Sequence, residues 1–154
     1  MQLQGKTAVV TGGAMGLGFG LVTALAEKGT KVVSMDVNLE EGQKGAAALN
    51  SKHGEGTVTF MQCDVTSEQQ LESCFQQAVA KLGHVDIMVN NAGLIHEGRW
   101  QHMMDVNIKG VVVGTQQAVE HMAASNPYLK DMGLRFGCTG APQPVDHGLP
   151  TLQG

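Results

Sequence analysis

The feature that most restricts this chain is a glycine run, Thr11-Gly12-Gly13-Ala14-Met15-Gly16-Leu17-Gly18, set between two apolar segments of different periodicity. Ahead of it Lys6 to Thr11 reads as a short buried strand. Behind it Leu21 to Lys28 reads as a helix that Gly29 ends at a C-terminal cap position. A chain passing directly from strand to helix must turn tightly, and glycine supplies the positive-φ conformations while removing the Cβ that would keep the backbone away from a ligand. The same geometry aims the helix N-terminus, with its unpaired amides, at whatever lies in front of it, and a pyrophosphate suits that position. A glycine-rich turn without a ligand is the plainer reading; the strand-turn-helix context and one more residue favour the phosphate site. That residue is Asp36, eighteen positions past Gly18, at the end of a second apolar run from Lys31. A carboxylate there can accept hydrogen bonds from ribose hydroxyls and repels a 2′-phosphate, and Val37 and Asn38 bring no cation to hold one. The expected cofactor is NAD rather than NADP.

The alternation continues. Asn38, with Glu41 at the third helical position, opens a helix through Leu49 that Gly42 and Gly45 weaken. Thr57 to Cys63 is a third strand. Ser67 and Gln70 form a capping box before a helix whose Leu71, Phe75, Ala78 and Leu82 share one face and which stops at Gly83. Val85 to Val89 is a fourth strand, and Trp100 to Ser125 reads as helical, although Val111-Val112-Val113 suits a strand on propensity. Strands alternating with helices imply right-handed crossovers and a parallel sheet covered on both faces. The expected class is therefore α/β, a Rossmann-type doubly wound parallel sheet carried as far as the fourth strand and the following helix. It divides into an NAD-binding half over residues 1–126 and an irregular or disordered tail over 127–154, which holds Pro127, Pro142, Pro144 and Pro150.

Composition removes other classes. Ten Lys and Arg against fourteen Asp and Glu, with no basic cluster, exclude a phosphate-tracking surface for nucleic acid or anionic membrane. Thr7 to Ala26 carries no charge and contains two overlapping Gly-x-x-x-Gly spacings, but its glycines and threonines dilute it too far for a membrane span. Cys63, Cys74 and Cys138 lack metal-site or disulfide-framework spacing, and the N-terminus lacks a secretory pattern, so a cytoplasmic protein without a metal is expected.

Thr11-Gly12-x-x-x-Gly16-x-Gly18, Asp64-Val65, Asn90-Asn91-Ala92-Gly93 and the later Asn107 together resemble the short-chain dehydrogenase/reductase family, and the likeness runs from Gly5 to about Met122. The resemblance implies that Gly12, Gly16 and Gly18 cradle the pyrophosphate, that Asp36 holds the ribose, and that Asp64 and Val65 flank the adenine. Leu17, Val37 and Cys63 are further cofactor contacts beside them. Asn91, Ala92 and Gly93 would stabilise the end of the fourth strand and touch the cofactor. Asn107 would bend its helix and hold a water in the family's proton relay. From the residues alone Asp64 either binds adenine or caps the next helix, and Asn107 is an ordinary helix-interior residue.

One part of the pattern is absent. The family chemistry implies a tyrosine acid-base group, a lysine four residues later that lowers its pKa, and an orienting serine. This sequence has no Tyr-x-x-x-Lys: its only tyrosine, Tyr128, is followed four positions on by Met132, and Lys130 stands at +2. Loss of such a base costs about 10² to 10⁴ in rate. The implied function is NAD-dependent oxidation of a secondary alcohol to a ketone, with a small-molecule alcohol as substrate. The alternatives are a non-catalytic NAD-binding or interaction protein, or a truncated product without activity. An exposed Val85 to Val89 edge would invite a homo-oligomer or docking on a full-length relative.

Overall fold

A computed structural model of the chain describes residues 2–125. The Pro/Gly-rich tail, Tyr128 and Cys138 lie outside the described residues. The element order is β1 (Thr7–Thr11), α1 (Gly16–Glu27), β2 (Lys31–Asp36), α2 (Leu39–His53), β3 (Val58–Gln62), α3 (Glu68–Leu82), β4 (Ile87–Asn90), α4 (Trp100–Met104), a π-helical turn (Asp105–Lys109) and α5 (Gly110–Ser125). The four strands form one sheet in the order β3-β2-β1-β4, all parallel. The α/β fold expected from the alternation is the one observed, and β1, the strand before the glycine run, lies inside the sheet.

Burial on both faces explains why the strands read as continuous apolar runs. In β1, Val9 faces a core that includes Val33, Met35, Leu71, Phe75 and Val113, from β2, α3 and α5. Ala8 and Val10 face the opposite core with Val22, Ala26, Val32 and Leu49, from α1, β2 and α2. Thr7 to Ala26, the uncharged stretch, is divided among β1, the turn and most of the 12-residue α1. No helix among the described residues is long and apolar enough to cross a membrane.

Local signals set most boundaries. Asn38 caps α2 by accepting from the Glu41 amide at 3.1 Å. Ser67 caps α3 by accepting from the Gln70 amide at 3.3 Å, but Gln70 does not complete the reciprocal box: its Oε1 accepts from the Asp64 amide at 2.8 Å. Helix α2 runs past Leu49 to His53 despite Gly42 and Gly45. Those two glycines are packing residues, since a Cβ at Gly42 would enter the Phe60 ring and one at Gly45 would stand 2.6 Å from the Phe19 ring. Val111 to Val113 is helical, with Val113 turned into the core.

The fourth strand differs from Val85–Val89. It begins two residues later, at Ile87, and the amide of Val85 donates to the His121 ring Nε2 at 3.1 Å. Val85 is fully buried, and Ile87 to Asn90 are half-buried; among the described residues β4 pairs with β1 alone. Among the described residues β4 is therefore the edge strand of the sheet, as expected, with Ile87 to Val89 half-buried along it and Val85 buried ahead of it.

Asp86 fastens β4 to the start of β1. Its carboxylate accepts from the Lys6 ammonium at 2.9 Å, from the Thr7 amide at 2.9 Å and from the Thr7 hydroxyl at 3.0 Å. The Lys6 bond, reinforced by Thr7, lowers the carboxyl from 3.8 to about 2. Because the folded value is depressed, this contribution is complete above about pH 4 and disappears as pH falls toward 2. Asp86→Ala leaves the Thr7 amide without its carboxylate and is expected to cost about 1 to 3 kcal/mol in urea unfolding at neutral pH. The loss should shrink near pH 2.

Candidate functional site

In a parallel sheet every strand ends at the same edge, and the loops leaving β1 to β4 build one cleft there. Its volume is about 600 Å³, within the range of small-molecule and cofactor sites. It is lined by Gly12, Gly16, Leu17 and Gly18 from the turn and α1, by Asp36 and Val37 after β2, by Cys63, Asp64 and Val65 after β3, and by Asn91, Ala92 and Gly93 after β4. All twelve residues expected to contact a cofactor thus share one concavity. Met15, Leu94, His102 and Val106 complete its wall.

The turn is held by backbone contacts that leave no room for side chains. Gly12 (φ +66°) passes so close to β4 that a Cβ would stand 2.7 Å from the Ala92 Cα. The Gly13 amide donates to the Met35 carbonyl at 3.2 Å, which ties the turn to β2. The first helical bond in α1 runs from the Phe19 amide to the Met15 carbonyl at 3.1 Å, no side chain caps Met15, and the first turn holds no acid. The amides of Gly16, Leu17 and Gly18 precede that bond and have no acceptor within the helix. Gly16 (φ +55°) has open space where a Cβ would stand. A helix end with free amides, positive potential and an open glycine suits a pyrophosphate.

Asp36 is both wall and brace. One oxygen accepts from the Ala14 amide at 3.0 Å and the other from the Asn38 amide at 3.0 Å. Each carboxylate oxygen has a second lone pair for a ribose hydroxyl. Asp64 does not cap α3, a task that falls to Ser67. Its Oδ1 accepts from the Thr66 amide at 2.9 Å and the Thr66 hydroxyl at 2.8 Å, which shapes the loop after β3 at the cleft. Burial pushes the Cys63 thiol far above its ordinary range, helped by Cys74 and Asp64, so at neutral pH it is a neutral apolar contact and not a nucleophile.

Thr11 is the residue that motif reading quoted without assigning a role. Its buried hydroxyl accepts from the Asn91 amide at 3.1 Å and the Ala92 amide at 3.2 Å, and donates to the Val89 carbonyl at 3.4 Å. Asn91 reciprocates: its Nδ2 donates to the carbonyls of Thr11 and Gly12, both at 3.1 Å. Asn90 reaches the other way, its Nδ2 donating to the Thr115 hydroxyl on α5 at 3.0 Å.

Asn107 does not line the cleft. It lies in the π-helical turn, where its Oδ1 accepts from the Leu94 amide at 2.9 Å and its Nδ2 donates to the Leu94 carbonyl at 2.8 Å. That turn carries the wider i to i+5 spacing of a π-helix between α4 and α5. It is a bracing residue for the cleft wall at Leu94, unlike an ordinary helix-interior position. Leu94 lies in an aperiodic loop, and His102 and Val106 lie where α4 passes into the π-helical turn, so no local spacing marks these three as facing the cleft.

The model of the short chain dehydrogenase family matches residues 6–127. The chain belongs to that family. The 15-hydroxyprostaglandin dehydrogenases [NAD(+)] of Macaca fascicularis and Homo sapiens are each 40% identical over 126 residues, 82% of this chain and 47% of theirs. Zerumbone synthase of Zingiber zerumbet is 33% identical over 79% of this chain and 48% of its own. Among solved structures, a short-chain dehydrogenase from Novosphingobium aromaticivorans superposes with TM-score 0.74 at 33% identity, covering 80% of this chain and 47% of that one. A Serratia marcescens short-chain dehydrogenase/reductase variant gives 0.71 at 31% identity over 79% of this chain and 52% of its own. The chain spans about half the length of these curated relatives.

Gly16 and Gly18, two of the three α1 glycines, separate strain from space. Gly16→Ala keeps its room but must hold a left-handed backbone, a loss of about 1 to 2 kcal/mol. Gly18→Ala would drive a Cβ into the Gly12 carbonyl oxygen and against the Asn91 amide group, displacing backbone. We expect Gly18→Ala to lose more stability than Gly16→Ala in chemical denaturation; equal losses would mean the turn relaxes freely.

Proposed function

We propose that this chain binds NAD in the cleft and supplies the cofactor half of a short-chain oxidoreductase that oxidises a secondary alcohol to a ketone. The observation that carries the reading is the meeting, in one cleft, of three α1 amides without acceptors among the described residues and a carboxylate at the end of β2. Gly16, Leu17 and Gly18 would hold the pyrophosphate, Asp36 the adenosine ribose, and Asp64 and Val65 the adenine. Asn91, Ala92 and Gly93 would flank the nicotinamide half. Bound NAD would accept the hydride from the alcohol carbon. The preference for NAD rests on the two acids, Asp36 and Asp64, in a wall with no lysine or arginine among the described residues, and the names of the prostaglandin dehydrogenases above agree with it.

The missing Tyr-x-x-x-Lys favours a second reading, in which the 154 residues bind the dinucleotide without turning it over. Calorimetric titration with NAD and with NADP tests the first step. NAD should bind, NADP at least about tenfold more weakly, a difference of about 1.4 kcal/mol. No heat with either would remove both readings. If NAD binds, NADH formation at 340 nm with a panel of secondary alcohols separates them: turnover supports the oxidoreductase reading, and its absence supports the binding reading.

A further inference from the structure

At the sheet edge opposite the cleft, two histidines meet around a buried amide. Val85 is fully buried just ahead of β4, where its N–H has no strand partner. The acceptor is Nε2 of His121, on the last turns of α5, at 3.1 Å. Nδ1 of His84 lies 3.2 Å from that same Nε2, and the two rings are 4.9 Å apart. Phe75 of α3 meets the His121 ring edge-on at 6.0 Å.

These contacts fix the protons. An imidazole nitrogen that accepts from an amide must carry its lone pair, so His121 holds its proton on Nδ1. The single lone pair of Nε2 is then shared between the Val85 N–H and, in the His84 tautomer protonated at Nδ1, the His84 ring. The far nitrogen of His84, Nε2, lies 3.9 Å from the Asp86 carboxylate. A proton arriving at His84 faces a carboxylate. One arriving at His121 Nε2 would, in that His84 tautomer, face the Val85 N–H and the His84 N–H and would have no acceptor.

We propose that His84 and His121 form a proton-operated latch that fastens the end of α5 to the start of β4, closed while His121 is neutral and opened by acid. The charged groups around His121 are His84 and, beyond it, Asp86; Glu120 beside it on α5; and Glu72 on α3, which accepts from Gln117 one turn earlier at 3.5 Å. The carboxylates favour a charged ring, but burial first and His84 second hold His121 below its ordinary 6.5. Because the folded value is depressed, an unfolded chain takes up this proton first as pH falls. The latch's contribution is complete above about pH 6.5 and declines from there through the folded value.

The latch needs no ligand, so it is tested on the full 154-residue chain without cofactor. His121→Gln places a side-chain oxygen where Nε2 sits, keeping an acceptor for Val85 while removing the titration. Thermal midpoints are read at pH 7.5 and 5.5. The wild type should fall by several degrees and His121→Gln by no more than half as much; an equal fall in the two overturns the proposal. The second measurement is on the wild type alone, the NMR titration of the His121 ring protons. A midpoint below 6.5, with the Val85 amide signal shifting along the same curve, supports the latch. A midpoint at or above 6.5 overturns it, whether or not the glutamine variant folds.

Discussion

The structure turns on the close passage of the glycine turn against the end of β4. Thr11 and Gly12 exchange four hydrogen bonds with Asn91 and Ala92 across that junction. Gly12 lies within a Cβ's reach of Ala92. Two loops from strands far apart in sequence thereby become one rigid floor. A side chain on Gly12 or Gly18 would separate them, and the α1 amides would no longer face the same space as Asn91 to Gly93. The glycine content that stands out in the composition is used where backbone must touch backbone or, at Gly42 and Gly45, where a helix must seat an aromatic ring.

Much of this was legible because parallel α/β architecture repeats one short grammar. An apolar run, a capping residue and an amphipathic helix each leave a local mark, and Asn38, Ser67, Gly29 and Gly83 mark helix ends without reference to the rest of the chain. The cleft's twelve expected residues were legible for a related reason: each stands at or just past a strand's C-terminal end, and the topology carries those ends to one edge. Asp36 shows the limit of such reading. Its position was readable, but its bonds to Ala14 and Asn38 depend on the shape of the turn. Asn107 shows it more sharply, since its partner is a backbone segment in an aperiodic loop. β4 begins at Ile87 and not at Val85, whose amide is held by a histidine 36 positions away, and no local pattern encodes such a long-range acceptor.

The two edges of the sheet treat polar groups differently. At the N-terminal edge Lys6, Thr7, Asp86, His84 and His121 satisfy one another and the backbone around them. At the C-terminal edge the α1 amides and the second lone pairs of Asp36 keep capacity for something outside the chain. That asymmetry is the physical content of calling one edge a site and the other a fastening. A buried network gains from being complete, because every unpaired member costs desolvation. A binding cleft gains from being incomplete, because only unpaired groups can recognise a ligand.

The same geometry decides how a proton at the fastening could be felt at the cleft. β4 runs from one edge to the other, and five residues from Val85 to Asn90 at about 3.3 Å each put the histidines roughly 16 Å from the cleft wall. That exceeds the Debye length of about 8 Å at physiological ionic strength, so direct field effects on a bound anion are mostly screened. What crosses the distance is mechanical. Helix α5 is fixed near the cleft, where its Thr115 meets Asn90, and at the far edge by His121, so it is anchored at two places against the same strand. Releasing one anchor leaves the other in place and lengthens the free part of the helix. Acid therefore acts on this fold first as a loss of stability along α5, and on the cleft only through how firmly α5 then holds Asn90.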